Sequence, residues 1–94
     1  MPYGVTHFFP GGTREQYEAT MMAANGRLGA IPKGQIFHAA GPAPGGWRIT
    51  GVHDSKENWD LFTEAFYPMP KEGIEGGFTR PPEELTWDVT HFYS

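Results

Sequence analysis

Gly46-Trp47-Arg48-Ile49-Thr50-Gly51-Val52-His53-Asp54-Ser55-Lys56-Glu57-Asn58-Trp59-Asp60-Leu61-Phe62 passes from a β-rich half into a helical half, and the remaining chain can be arranged around it. Trp47, Ile49, Thr50 and Val52 are residue types that fit a pleated, half-buried surface. Asp54 stands where a carboxylate accepts from the free N–H groups of a first helical turn, and Glu57, three residues on, can reach back to the cap. Trp59, Phe62, Phe66 and Met69 follow at helical spacing, which gives the helix one apolar face to lay on a sheet. The unit reads as strand, tight corner, amphipathic helix.

Working outward, Gln35 to Ala40 reads as the preceding strand, joined to the quoted one through the turn-rich loop Gly41-Pro42-Ala43-Pro44-Gly45-Gly46. Tyr3 to Phe9 reads as a first strand that Pro10-Gly11-Gly12 ends, because proline cannot donate to a ladder and glycine permits a sharp corner. Thr13 with Gln16 has the spacing of a capping box. Behind it Tyr17, Met21, Ala24 and Leu28 trace one helical face, with the helix end within a few residues of Gly26. Past the second helix, Pro68 and Pro70 interrupt the pattern, residues 71–82 read as irregular, and Leu85 to Tyr93 reads as a last strand. The order β-α-β-β-α-β is the ferredoxin-like α+β plan, a four-stranded antiparallel sheet with two helices in a single domain over 1–94.

Composition narrows the partners. The 94 residues carry a net charge of −4 with no run of Lys or Arg, which speaks against nucleic acid and against an anionic membrane. No stretch is apolar for long enough to span a bilayer, and Met1 to His7 lacks a basic region followed by an apolar run, so a soluble cytoplasmic protein is expected. Without cysteine there is neither a disulfide framework nor a thiolate zinc site. Neither G-x-x-x-x-G-K-[ST], G-x-G-x-x-G nor G-x-S-x-G occurs, which disfavours nucleotide-dependent and serine-hydrolase chemistry.

The strands are apolar at both parities. Val5 and Phe9 oppose Phe8, Ile36 opposes Phe37, Trp47 and Ile49 oppose Val52, and Trp87 and Val89 oppose Phe92. Two helices cover one face of such a sheet, so the other needs cover, and a second copy is the expected source.

Several local patterns resemble the dimeric α+β barrel superfamily, in particular the antibiotic-biosynthesis-monooxygenase-like small proteins. They are Phe8-Phe9-Pro10-Gly11 leading to Thr13-x-x-Gln16-Tyr17, Gly34-x-Ile36-x-His38-x-Ala40, Gly46-Trp47-Arg48-Ile49-x-x-Val52 with Asp54-Ser55-x-Glu57-x-Trp59-x-x-Phe62, and Val89-Thr90-His91. The resemblance implies a homodimer whose sheets pack face to face, with an apolar pocket for a small-molecule ligand between each sheet and its helices. It also implies one of several activities: cofactor-free oxygenation of activated aromatic substrates, haem breakdown, or isomerisation and dehydration. His53 departs from the aromatic residue often found just before the second helix.

The four histidines fall one per predicted strand: His7, His38, His53 and His91. Imidazole exchanges protons near neutral pH, so these are the candidate acid/base groups, each weighed against ordinary packing. Val5-Thr6-His7-Phe8-Phe9 nearly repeats in Val89-Thr90-His91-Phe92-Tyr93; on neighbouring antiparallel strands His7 and His91 could then pair, with Asp88 near His7. His53 sits at a strand end beside a helix N-terminus, which favours the neutral ring. Tyr17, Trp59 and Phe62 are candidate walls, Arg48 a candidate substrate clamp, and Glu83-Glu84 read as solvated charges. No dense ligand set for a metal is present. The reading is a monooxygenase-like enzyme that uses no tightly bound organic cofactor and acts by a histidine base on a small aromatic or polyketide-like molecule. Alternatives are an isomerase or cyclase using the same pocket, and a binding or structural barrel without turnover.

Overall fold

The computed structural model describes the backbone of residues 1–28, 34–66 and 74–93, and the side chains of all of these except 24–28 and 65–66. Its elements are β1 (Tyr3–Pro10), α1 (Arg14–Leu28), β2 (Gln35–Ala43), β3 (Gly46–His53), α2 (Lys56–Phe66) and β4 (Glu83–Asp88). They form one antiparallel sheet in the order β2-β3-β1-β4, so the first and last strands are neighbours, as the ferredoxin-like plan requires.

The helix starts follow from their caps. Thr13 Oγ1 accepts from Gln16 N at 3.1 Å while Gln16 Oε1 accepts from Thr13 N at 3.1 Å, the reciprocal box expected from the sequence. At α2 the expected cap moves by one residue. Ser55 Oγ accepts from Asn58 N at 3.1 Å, because Asp54 is engaged elsewhere: its Oδ1 accepts from Asn58 Nδ2 at 2.7 Å and its N–H donates to Gly34 O. Ala24, Leu28, Phe66 and Met69, expected on the apolar helix faces, lie outside the described side chains.

Four strand boundaries differ from the sequence reading: β1 takes in Pro10, β4 begins two residues early at Glu83, and the ends of β2 and β4 shift further. β2 continues to Ala43, leaving a two-residue Pro44-Gly45 turn with Gly45 at φ +86°, where proline and glycine meet the backbone needs of a tight turn. Pro42 is tolerated because β2 is an edge strand. β4 stops at Asp88, not Tyr93. Asp88 pairs with Tyr3, and one step further Val89 N donates to the carbonyl of Pro2, which has no N–H to return.

Pairing in register sorts the side chains onto two faces. Tyr3, Val5, His7 and Phe9 of β1 share the helix-covered face with Trp47, Ile49, Gly51 and His53 of β3. The core sits there, with Val5, Trp47, Ile49 and Trp59 all buried. Phe78, from the segment after α2, stacks on Phe9 at 3.7 Å between ring centroids and closes one end, its backbone N donating to Thr20 Oγ1.

On the opposite face lie Phe8, Phe37, Val52, Leu85 and Trp87, with Leu85 70% and Trp87 42% exposed. The chain after β4 reaches back across one end of it, where Phe92 meets Phe37 edge to face at 6.4 Å.

Candidate functional site

The candidate site is built on the helix-facing row of β3. His53, the last residue of that strand, is 1% exposed, and its ring lies against Trp59 at 4.9 Å and Phe62 at 6.2 Å. Helical spacing brings those two rings to one face of α2, 5.6 Å apart. Burial pushes the His53 proton affinity below the ordinary histidine value; Asp54 opposes this and His38 adds to it, so the ring is neutral near pH 7. Its Nδ1 is buried with no hydrogen-bond partner among the described residues, and the same holds for Trp47 Nε1 at the other end of the row. A buried polar atom without a partner is costly, and such atoms gather where a ligand or a reaction supplies the partner.

Between the two stands Gly51. A Cβ placed on it would lie 3.6 Å from His53 Nε2, 3.6 Å from Gln35 Nε2 and 3.7 Å from Phe37 O, so its hydrogen leaves a notch bordered by an imidazole and an amide. Across from Gly51, on β2, is His38. Its Nε2 is 2.6 Å from Tyr17 Oη, and the Tyr17 ring lies 5.3 Å from that of Trp47. Burial by the surrounding chain raises the Tyr17 phenol and lowers His38, which keeps both groups uncharged at neutral pH.

His38, His53, Tyr17, Trp59 and Phe62 are therefore brought to one side of the sheet, and three other expectations come out differently. His7 is on the same side, its ring 5.8 Å from Trp59, but its Nε2 is held at 2.7 Å by Glu84 Oε2. The register that makes this pair sets Glu84, not His91 or Asp88, opposite His7. Glu84 is thus no merely solvated charge. His91 lies beyond the end of β4, exposed, with Nδ1 2.8 Å from Thr90 Oγ1. Arg48 is on the other sheet face, its guanidinium 5.1 Å from the centre of the Phe8 ring, where it stacks as a cation on an aromatic.

Gln35 and Gly51 are not among the residues expected from the sequence. A glycine inside a strand marks a close approach or an opening, and that signal is present in the sequence. Gln35 is hidden by a β-bulge. β2 slips by one residue between Gln35 and Phe37, so Gln35 pairs with His53, whereas unbroken alternation from His38 would have put it on the opposite face.

Solved structures of similar shape cover all or nearly all of the chain. Rv0793 from Mycobacterium tuberculosis superposes with a TM-score of 0.72 at 18% identity, over 100% of both chains. A protein from Chloroflexus aurantiacus assigned as an antibiotic biosynthesis monooxygenase gives 0.67 at 16%, over 100% of this chain and 98% of that one. SnoaB from Streptomyces nogalater, a cofactor-independent oxygenase solved as a point mutant, gives 0.63 at 11%, over 97% and 94%. The fold is that of the antibiotic-biosynthesis-monooxygenase-like proteins. No protein-family model and no curated protein matches the sequence. At these identities the likeness extends to the architecture alone, and the chemistry rests with the side chains. No described helix is long and apolar enough to cross a membrane.

Proposed function

We propose that this chain is a single ferredoxin-like domain that acts as an oxygenase without a tightly bound organic cofactor, on a small aromatic or polyketide-like molecule held between the sheet and its helices. The observation that carries the reading is His53: an imidazole that is neutral, 1% exposed and unpartnered at Nδ1, walled by Trp59 and Phe62, with its other nitrogen, Nε2, bordering the Gly51 notch. A neutral imidazole in a dry aromatic setting is a base for an acidic C–H or O–H whose conjugate anion is delocalised over a ring. The electron-rich carbanion then meets dioxygen. For an activated methylene the balance is CH2 plus O2 giving C=O plus H2O, with the substrate supplying all the electrons. SnoaB, with the same fold, is described as a cofactor-independent oxygenase, which supports this class.

The second partner is another copy of the chain, laid over the face of Phe8, Phe37, Val52, Leu85 and Trp87. An apolar sheet face of this kind is unsuited to water, and two-fold pairing covers it at no cost in new sequence.

Anthrone, with a methylene between two aryl rings, is a suitable probe. Its conversion to anthraquinone by purified protein in air is followed by absorbance and oxygen consumption. The His53→Ala variant is expected to lose roughly 100-fold or more of the rate, the range of a general base. A rate no greater than that of buffer, or unchanged turnover in His53→Ala, would refute the assignment.

A further inference from the structure

The site holds more proton-handling groups than one deprotonation requires. Tyr17 Oη and His38 Nε2 are 2.6 Å apart, with their rings 28° from parallel. In one His38 tautomer the phenol donates to Nε2. In the other, Nε2–H donates to Oη and leaves the phenolic proton for another acceptor. Both groups are uncharged near neutrality, for the burial reasons given above. His38 is shielded on the side that meets Tyr17 but keeps solvent-exposed surface, so it has access to water from which to refill the pair.

The placement relative to His53 is specific. His38 pairs with Gly51, two residues before His53 on the same face, which makes the two histidines diagonal neighbours roughly 7–8 Å apart. The position between them carries no side chain. A molecule seated over Gly51 has a base on one side and a phenol–imidazole pair on the other.

We propose that Tyr17 and His38 form the proton-returning half of the site, delivering to the bound molecule the proton equivalent that His53 removes. This rests on the reading of His53 as the base. In a β,γ-unsaturated ketone, His53 takes the α proton and the C–H electron pair becomes the new double bond of a dienolate, with the charge on oxygen. Tyr17 O–H then delivers a proton to the γ carbon, and the electrons return to the carbonyl. Tyr17 regains its proton from His38 Nε2 while His38 Nδ1 takes one from water, and His53 releases its own to solvent. Product and substrate are isomers, and no oxidant enters.

Cyclohex-3-enone in deuterated buffer under argon, followed by NMR, separates the two halves. Deuterium appearing at C2 reports the base; cyclohex-2-enone labelled at C4 reports the return. The wild-type protein is expected to do both above the buffer rate. In Tyr17→Phe, and independently in His38→Gln, the ratio of isomer formed to C2 exchange is expected to fall by roughly tenfold or more, since the dienolate is then reprotonated where it formed. A merely structural role would lower both signals in parallel and leave the ratio unchanged, which would overturn the pair. Exchange at C2 without isomerisation in the wild type would also overturn the pair while leaving His53 as the base. No exchange above buffer would overturn the base reading, and the pair with it. Circular dichroism identifies any variant that has failed to fold, and the other variant then decides.

Discussion

One substitution made at two strand glycines tests the geometry of both sheet faces. Gly51 is buried, and none of the positive φ values falls on it, so alanine fits its backbone. A methyl there meets its neighbours at 3.6 Å, ordinary contact distance. Gly51→Ala should thus gain about 0.4–1 kcal/mol from the reduced freedom of the unfolded chain. Gly4 is on the other face, where a Cβ would lie 2.5 Å from Trp87 Cε2 and 2.6 Å from Cζ2. The indole has to swing off the strand and lose its packing, an overpacking cost of about 1–3 kcal/mol that exceeds the same entropic gain. Because the entropic gain is common to both, the two variants should differ by the overpacking cost alone, about 1–3 kcal/mol, which for a domain of this size is on the order of 10 °C in Tm. Thermal and urea denaturation at one fixed protein concentration measure the gap, the concentration being held because association would shift it. Anthrone turnover supplies the functional arm, and the more stable Gly51→Ala protein should have lost most of it because the methyl occupies the notch. A Gly51→Ala protein less stable than Gly4→Ala, or one that is stabilised and fully active, would show that the space over Gly51 is not the site.

Two further expectations concern pH and assembly. Because burial lowers the His53 proton affinity, the unfolded chain binds a proton that the folded chain refuses; its contribution to stability is complete above about pH 6.5 and falls as pH drops, at up to about 1.4 kcal/mol per pH unit, until the folded value is passed. Urea midpoints between about pH 7 and 5 should therefore decline less steeply in His53→Gln, and equal slopes would contradict the burial argument. Sedimentation should give twice the chain mass for the wild type and a single chain for Leu85→Glu, which puts a charge on the β4 edge of the apolar face, where Leu85 is exposed; a wild-type monomer at tens of micromolar, an order-of-magnitude choice for a weak dimer, would remove the second copy.

What the sequence discloses depends on how far apart the deciding residues are along the chain. The Thr13–Gln16 box is complete within four residues, and both of its hydrogen bonds form as their spacing implies. At α2, Asp54 is an equally good cap by local chemistry. It is diverted because Gly34, 20 positions earlier, offers a carbonyl to its N–H and Asn58 takes its carboxylate. The histidines follow the same rule. His38 and His53 can be named as candidates, but their meeting across Gly51 depends on the register of β2 on β3, and Gln35 joins them only through the bulge. His7 and His91 show the reverse: the near-repeat around them suggests a pair, yet pairing in register stops three residues short of His91, because the partner strand ends at Tyr3. Short-range chemistry is written residue by residue, whereas a site on a sheet is written in offsets between strands. A one-residue slip exchanges the faces and would turn His53 and Gly51 outward, so the same side chains would make no site at all. The bulge at Ile36 is the feature that reconciles a helix-facing Gln35 with an outward-facing Phe37, and with it the polar edge of the notch with the apolar face proposed for a second chain.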